Sequence, residues 1–230
     1  VLGNGKQRKS YLYIQDCIDA VLFAMENSNE RVSFINLGVD GCCEVNDSIG
    51  WICKELGALA SNNSKVLCIS EIGLDYMPGA PDHRVQDQAF RAQIRIARKL
   101  NLPVIVHSRE SHDDVLRVLR EEGVQEIGGV MHYFQGDKST AHNAIDLGMF
   151  ISLARPLLRL RELQDVVVDI PIDNIVLETD AAPQPFKKYR HNWTEPRHVL
   201  EVAEKLAELK GISLKEVSDK TTLNTRTLLN

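Results

Sequence analysis

The stretch KVLCISEIGLD, residues 65–75, passes from an apolar run into two carboxylates, Glu71 and Asp75. The apolar residues 66–69, bounded by polar residues, are typical of a buried strand in a parallel sheet. Glu71 then follows this predicted strand at its carboxyl end. Because the carboxyl ends of strands face the active site in barrels and open α/β sheets, this position predicts a chemical role for Glu71.

Three later apolar runs also end in side chains that can bind metals. The runs PVIVHSR, GGVMHYF and NIVLETD carry His107, His132 and Asp180. Along the chain, Glu71 and these three residues are separated by 36, 25 and 48 residues, which corresponds to one, one and two strand–helix units. We therefore expect all four side chains at one rim of the sheet.

Amphipathic helices alternate with these strands. Alternation of buried strands with helices predicts an α/β fold in which the helices cover a parallel sheet. The predicted helices cover residues 86–100, 111–122, 139–147, 160–168, 194–210 and 214–229, with a further strand, MFISLA, at 149–154 and a helix stop at Gly211.

One glutamate, two histidines and one aspartate form a ligand set that suits zinc, manganese or magnesium. A carboxylate that bridges two such ions would make hydrolysis of a phosphate ester the natural chemistry. A single histidine after a strand is more often a hydrogen-bonded structural residue. Four ligand-type residues at successive strand ends favour the metal site, because an unpartnered buried carboxylate is costly. Asp75 and Glu178 are interpreted as solvated or capping carboxylates.

Composition limits the class of protein. The chain has 230 residues, of which 43% are hydrophobic and 26% charged, and this is enough to bury one sizeable core. Its net charge of -5 argues against binding nucleic acid by bulk electrostatics, although a local basic patch or a bound cation could hold phosphates. No run approaches the ~18 apolar residues of a membrane span and no signal-peptide core is present, so we expect a cytoplasmic protein.

Residues 1–57 are organised differently. The segments GNGKQRKSYLYIQDCIDAVLFAME and FINLGVDGCCEVNDSIGWICKELG resemble the C-terminal, substrate-domain part of NAD-dependent nucleotide-sugar epimerases and dehydratases. The chain has neither a G-x-G-x-x-G fingerprint between a strand and a helix nor a Tyr-x-x-x-Lys pair. We therefore expect no NAD cofactor, and we predict a boundary between residues 1–57 and 58–230.

Residues 58–230 resemble the TatD-type metal-dependent deoxyribonucleases in several ordered motifs: EIGLDY, FRAQIRIARKLNLPVIVHSR, GGVMHYFQG, LETD and the tail EPRHVLEVAEKLAELKGISLKEVSDKTTLN. The resemblance implies a (β/α)8 TIM barrel of the amidohydrolase type. It also implies divalent metal ions and hydrolysis of phosphodiester bonds in DNA or an oligonucleotide.

The same resemblance implies a role for each site residue. Glu71 would bridge two metal ions, and His107 and His132 would complete one of the two sites. Asp180 would bind the other ion and act on the attacking water, so that Asp180 and Glu71 are the catalytic candidates. Arg109 would contact a phosphate of the substrate.

The chain departs from the family pattern at its start. TatD enzymes open with an Asp-x-His-x-His element on the first strand, whereas this chain has no histidine before His83. The matching motifs cover five barrel strands, so we expect an incomplete barrel that lacks the family's first strands. The second metal site is then reduced to Glu71 and Asp180, and we expect impaired activity. An open barrel edge would favour oligomerisation.

Two other functions remain open. The chain could be a catalytically inactive, fused gene product that acts as a binding or interaction protein and binds metal at most. It could also be a nucleotide-sugar-binding module built on residues 1–57. The nucleotide-sugar-binding function conflicts with the sequence, because all candidate ligand residues that belong to motifs lie after Ser70.

Overall fold

The computed structural model describes residues 8–9, 43–44, 54, 56–58, 60–61, 65–181 and 193–229. Its strands are β1 (Arg8–Lys9), β2 (Cys43–Glu44), β3 (Ile69–Asp75), β4 (Val104–Arg109), β5 (Gly129–Met131), β6 (Met149–Leu153) and β7 (Ile175–Leu177). Its α-helices are α1 (His83–Leu100), α2 (His112–Glu121), α3 (Lys138–Asp146), α4 (Arg161–Asp169), α5 (Val199–Lys210) and α6 (Leu214–Leu229).

The strands β3 to β7 form one parallel sheet in which spatial order follows chain order. One helix of the series α1 to α4 connects each strand to the next, which is the repeated unit of a TIM-barrel-like α/β fold. The expected fold class is therefore confirmed. Within residues 65–181 and 193–229, β3 and β7 each pair with one neighbour, so the described strands form a segment of a barrel.

The predicted strand over residues 66–69 starts too early. β3 begins at Ile69, Leu67 is 49% exposed, and Glu71 lies inside β3 instead of after it. The residues that pack into the core are Ile69, Ile72 and Leu74. Burial against the covering helices, which the apolar run alone does not specify, therefore sets the start of the strand.

A register shift lies at Glu71. Ile69 pairs with Val104 and Ile72 pairs with Val106, so three residues of β3 span two residues of β4. An extra residue in one strand bends that strand and redirects its side chains, and such bulges are frequent next to active sites. The shift explains how a residue within β3 presents its carboxylate beside β4.

Gly73 permits the close approach of β3 to β4. Its φ is +150°, and a Cβ at this position would lie 1.9 Å from the carbonyl oxygen of His107. Only glycine combines this φ with so little space. The glycine of the EIGLD motif is thus required for the pairing that brings Glu71 and His107 together.

The helices begin and end at residues suited to those positions. Asp82 accepts a hydrogen bond from the backbone N–H of Arg84 at the start of α1, and Asp137 accepts one from Thr140 at the start of α3. Gly211, with a φ of +64°, ends α5 as predicted. The predicted helix at 194–210 is shorter than expected, because a 3₁₀ turn occupies Pro196–His198 and α5 begins after it.

The core lies between the helices and the sheet. Phe90 and Ile94 of α1, Val106 of β4 and Ile151 of β6 are fully buried, and Leu56 packs against this cluster. Most of residues 1–57, and with them most of the two epimerase-like segments, lie outside the described residues, so the boundary at 57/58 stays a prediction. No helix in the described part of the chain has the length and apolar character needed to cross a membrane.

Candidate metal centre

Three of the predicted ligands meet at one point of the sheet. Oε1 of Glu71 lies 3.1 Å from Nδ1 of His107 and 3.4 Å from Nε2 of His132. Glu71 lies in β3, His107 lies in β4 and His132 directly follows β5, so three neighbouring strands supply them. This geometry agrees with the expectation that Glu71, His107 and His132 lie at one rim of the sheet.

The second ring nitrogen of each histidine also faces a carboxylate. Nε2 of His107 lies 3.4 Å from Oδ2 of Asp75, and Nδ1 of His132 lies 2.6 Å from Oε2 of Glu178. In metalloproteins, a carboxylate on the outer nitrogen of a histidine fixes the orientation of the ring and raises its basicity. The arrangement therefore aims one nitrogen of each imidazole at Glu71.

Glu178 and Asp75, which the sequence suggests are solvated or capping carboxylates, lie at these outer nitrogens. Glu178 directly follows β7, has a side chain only 18% exposed and accepts a hydrogen bond of 2.6 Å from the backbone N–H of Tyr133. Asp75 binds the guanidinium of Arg109 through both carboxylate oxygens, at 2.6 Å and 3.2 Å. Their position next to strand ends was visible in the sequence, but their histidine partners depend on the pairing of the strands.

The ion pair between His132 and Glu178 shifts the pKa of both groups. Burial alone would lower the pKa of His132, but the hydrogen bond and charge of Glu178, with the charges of Glu71 and Asp180, raise it above its ordinary value. Burial alone would raise the pKa of Glu178, but His132 and hydrogen bonds from Ser152 and Tyr133 hold it below its ordinary value. The carboxylate of Glu178 is therefore ionised at neutral pH.

Asp180 and Arg109 lie at the edge of this group. Asp180 is an exposed residue in the loop after β7, and its charge contributes to the raised pKa of His132. The side chain of Arg109 is 56% exposed and is held by Asp75. Both residues thus lie at the same rim as the histidines, where they are accessible to a ligand.

Unusual backbone conformations follow three of the strands at this rim. Glu110 comes after β4, Tyr133 after β5 and Asp180 after β7, and their φ values are +54°, +48° and +50°. Positive φ is uncommon for residues other than glycine and costs of order 1 kcal/mol or more, and it clusters at functional sites. The distribution supports this rim as the functional face of the sheet.

A cleft of about 680 Å³ lies at the end of β4. The residues that line it come from the end of β4 and from the segments that follow β4, β5 and β6, and they include Ser108, Arg109, His112, Gln135, Arg159 and Arg161. Ser108 and His112 are joined by a hydrogen bond of 2.6 Å, and burial lowers the pKa of His112. An imidazole, a hydroxyl and three guanidinium groups therefore line this cleft, together with the carboxylates of Glu110, Asp137 and Glu162.

The chemical types of the three side chains, Glu71, His107 and His132, suit a divalent cation, but the distances between them do not. One carboxylate and two imidazoles are ligands for zinc and related ions. However, within residues 65–181 and 193–229 no group of three or more His, Cys, Asp or Glu side chains is arranged as a coordination shell. Glu71, His107 and His132 pair with one another instead, at hydrogen-bonding distances.

Known proteins are similar to this chain in sequence and in fold. The chain is 36% identical over 195 residues to YabD, an uncharacterized metal-dependent hydrolase of Bacillus subtilis, and this alignment covers 83% of the chain and 73% of YabD. It is 35% identical over 174 residues to deoxyribonuclease TATDN3 of Homo sapiens, covering 74% of the chain and 62% of that protein.

The solved structures include YJJV, a TatD homologue from Escherichia coli K12. Its superposition has a TM-score of 0.71 at 29% sequence identity, and it covers 77% of this chain and 70% of YJJV. The family model described as TatD related DNase matches residues 23–230. By the extent of this match and by its relatives, the chain belongs to the family of TatD-related DNases.

Proposed function

We propose that this protein is a metal-dependent hydrolase that cleaves phosphodiester bonds in DNA. The observation that carries the proposal is the meeting of Glu71, His107 and His132, with the outer nitrogen of each histidine held by a carboxylate. The names of the relatives, which include metal-dependent hydrolases and a deoxyribonuclease, support the same chemistry. The cation would be zinc, manganese or magnesium, in one or two copies.

In this proposal, each residue of the centre has a separate role. Glu71, His107 and His132 would hold a divalent ion, while Glu178 and Asp75 keep the imidazoles oriented. A divalent ion bound here would supply an activated water and charge stabilisation for the phosphate. The carboxylate of Asp180 would accept the proton of the attacking water, and Arg109 would bind a phosphate oxygen of the substrate.

A second candidate is a binding protein without catalytic activity. The observation that favours it is that, within residues 65–181 and 193–229, no group of three or more His, Cys, Asp or Glu side chains is arranged as a coordination shell. Such a chain would bind one ion through Glu71, His107 and His132 and would not turn over. A single ion stabilises the attacking and leaving oxygens less well than two ions do.

The test combines metal stoichiometry with cleavage of DNA. Chelator-treated protein is reloaded with zinc or manganese, the bound metal is counted, and cleavage of a labelled single-stranded oligonucleotide is followed. We expect bound metal and cleavage, with both lost in His107→Ala and cleavage alone lost in Asp180→Asn, by about 100-fold or more. His142→Ala removes an exposed histidine of α3 and serves as the matched control.

The outcomes separate the two candidates. Metal binding without cleavage in the wild-type chain would support the binding protein. Cleavage that survives in His107→Ala and Asp180→Asn would contradict the assignment of the site. If neither metal nor cleavage is found, the family fold has no metal-dependent function in this chain.

A further inference from the structure

The cleft at the end of β4 has apolar walls. Met77 follows β3 and Leu160 follows β6, and both line the cleft while remaining 40% and 36% exposed. Leu163 and Val166 of α4 also line it and are buried. Because β4 and β5 lie between β3 and β6 in the sheet, the apolar side chains reach the cleft from two separate parts of the molecule. Apolar walls in a concave site suit a ligand with a flat apolar part, such as a nucleobase.

Two arginines of the same cleft are available for an anion. Arg159 and Arg161 flank Leu160 in the chain, line the cleft and are exposed. Within residues 65–181 and 193–229, neither side chain forms an ion pair, whereas Arg109 is bound by both oxygens of Asp75. A guanidinium that has no carboxylate partner can bind a phosphate through two parallel hydrogen bonds without first giving up another contact.

The carboxylates of the cleft limit the negative charge that it can accept. Glu110 and Glu162 line it and are exposed, and Asp137 accepts a hydrogen bond from the backbone N–H of Thr140. Three arginines and three carboxylates leave the cleft without excess positive charge, so it suits one phosphate and not a run of phosphates. Carboxylates and the amide of Gln135 can also pair with the edge of a base, which carries both donors and acceptors.

One wall of the cleft is held in place by its neighbours. Nδ1 of His112 lies 2.6 Å from Oγ of Ser108, and the ring of His112 stacks on Phe134 with the ring centres 6.3 Å apart. A wall that is already ordered reduces the entropy that is lost when a ligand binds. The volume of about 680 Å³ also lies in the range of roughly 300–1,000 Å³ that is typical of small-molecule sites.

Arg109 connects the cleft to the metal centre. It lines the cleft, and its Nη2 lies 2.6 Å from Oδ2 of Asp75. The same oxygen of Asp75 lies 3.4 Å from Nε2 of His107. A DNA strand whose reacting phosphate lies at the centre would therefore place a neighbouring nucleotide at the cleft.

We propose that this cleft binds one unstacked nucleotide of single-stranded DNA, with its base against Met77 and Leu160 and its phosphate at Arg159 and Arg161. This inference rests on the proposed function, because it takes DNA as the ligand. A base inside a duplex is paired and stacked and must be extruded before it can enter such a site. The cleft therefore selects single-stranded DNA over duplex DNA.

The test compares two oligomers that carry the same phosphates. A labelled pentathymidylate and an oligomer of the same length without bases are each titrated with chelator-treated protein, and fluorescence anisotropy is followed. We expect the wild-type chain to bind pentathymidylate about tenfold more tightly, because only this oligomer has a base to place in the cleft. Leu160→Gln should reduce the preference to about twofold and leave the affinity for the baseless oligomer unchanged.

Arginine variants separate the phosphate contact from the base contact. Arg159→Gln should weaken the binding of both oligomers by the same factor, about fivefold, and lower the slope of log affinity against log salt by about 0.7. Its control is Arg120→Gln, at an exposed position near the end of α2 that does not line the cleft. The control for Leu160→Gln is Leu223→Gln, a 57% exposed position of α6. Both controls should leave the affinities unchanged, and circular dichroism checks that each variant is folded.

Each outcome decides the inference. Equal affinity of the wild-type chain for the two oligomers, binding of neither, or a preference that is unchanged in Leu160→Gln would overturn it. Base-dependent binding without cleavage in metal-loaded protein would support the inference while the proposed hydrolysis fails. Cleavage of pentathymidylate without base-dependent binding would leave the proposed function standing while the inference fails.

Discussion

At the scale of single residues, Glu178 links two parts of the site. One of its oxygens binds Nδ1 of His132 and the other binds the backbone N–H of Tyr133, both at 2.6 Å. Without this carboxylate, the imidazole of His132 would lose the partner that orients it toward Glu71. The residue is therefore expected to act on metal binding through His132, as a positioning residue.

Glu178→Gln tests this role with almost no change of shape. We expect the affinity for zinc or manganese to fall about 10- to 100-fold. The neutral amide of glutamine no longer orients the imidazole of His132 and raises its basicity as the carboxylate does. The affinity is measured by titration against a competing chelator, with circular dichroism as a check of folding. Glu204→Gln, an exposed position on α5, is the matched control. Unchanged affinity in Glu178→Gln would show that His132 is oriented by other contacts.

At the scale of elements, a cluster of charges joins α1 to the end of α2. The carboxylate of Glu122 accepts hydrogen bonds from Arg95 at 2.7 Å and 2.8 Å and from Arg91 at 3.0 Å, and its side chain is only 9% exposed. These arginines, Arg95 first, hold the pKa of Glu122 below its ordinary value, against the effect of burial. Both helices cover the strands that carry Glu71 and His107, so the cluster supports the site from outside.

Glu122→Gln should destabilise the fold by about 1–2 kcal/mol near neutral pH, because it leaves two arginines without their shared carboxylate. A carboxyl whose pKa is lower in the folded state stabilises the protein above its unfolded pKa, and this contribution is lost as pH falls through the folded value. The difference between wild type and Glu122→Gln, measured by urea unfolding, should therefore be constant at neutral pH and shrink below about pH 4.5.

The comparison variant for this measurement is Glu126→Gln. Glu126 pairs with Arg98 at 2.6 Å, but its side chain is 62% exposed, and exposed ion pairs contribute little to stability. A loss in Glu126→Gln as large as the loss in Glu122→Gln would mean that burial of the cluster is not what makes Glu122 important.

At the scale of the whole molecule, the five-stranded sheet has two ends. Among the described residues, β3 and β7 each pair on one side only, and Leu200 and Leu214 line an apolar groove that includes Leu177 of β7. An unpaired strand edge presents backbone donors and acceptors to other chains, and apolar surface beside it adds to the tendency to associate.

We predict that the purified chain self-associates through this end of the sheet. Light scattering coupled to size-exclusion chromatography should show species larger than a monomer, and Leu200→Glu should shift them toward the monomer. Val168→Glu changes an equally exposed apolar residue of α4 and is the control. A compact wild-type monomer that unfolds cooperatively would contradict the prediction.

Much of the architecture is encoded locally. Apolar runs and helical periodicity predict β4 to β7 and α1 to α6 to within a few residues, because burial of one face is a property of each segment. The family motifs likewise predict Glu71, His107, His132 and Asp180 as site residues, and the structure brings the first three of them together. Residue type and spacing are sufficient for these predictions, since parallel strands place their carboxyl ends on the same side of the sheet.

The contacts that organise the site depend on tertiary structure. The register shift at Glu71 arises from the pairing of β3 with β4, and the absence of space beside Gly73 arises from the same pairing. Glu178 reaches Tyr133 across 45 residues of chain, so no local pattern reveals their hydrogen bond. The periodicity of the sequence indicates which residues are buried. The hydrogen-bond partner of each polar group is determined only when the strands pair in the folded protein.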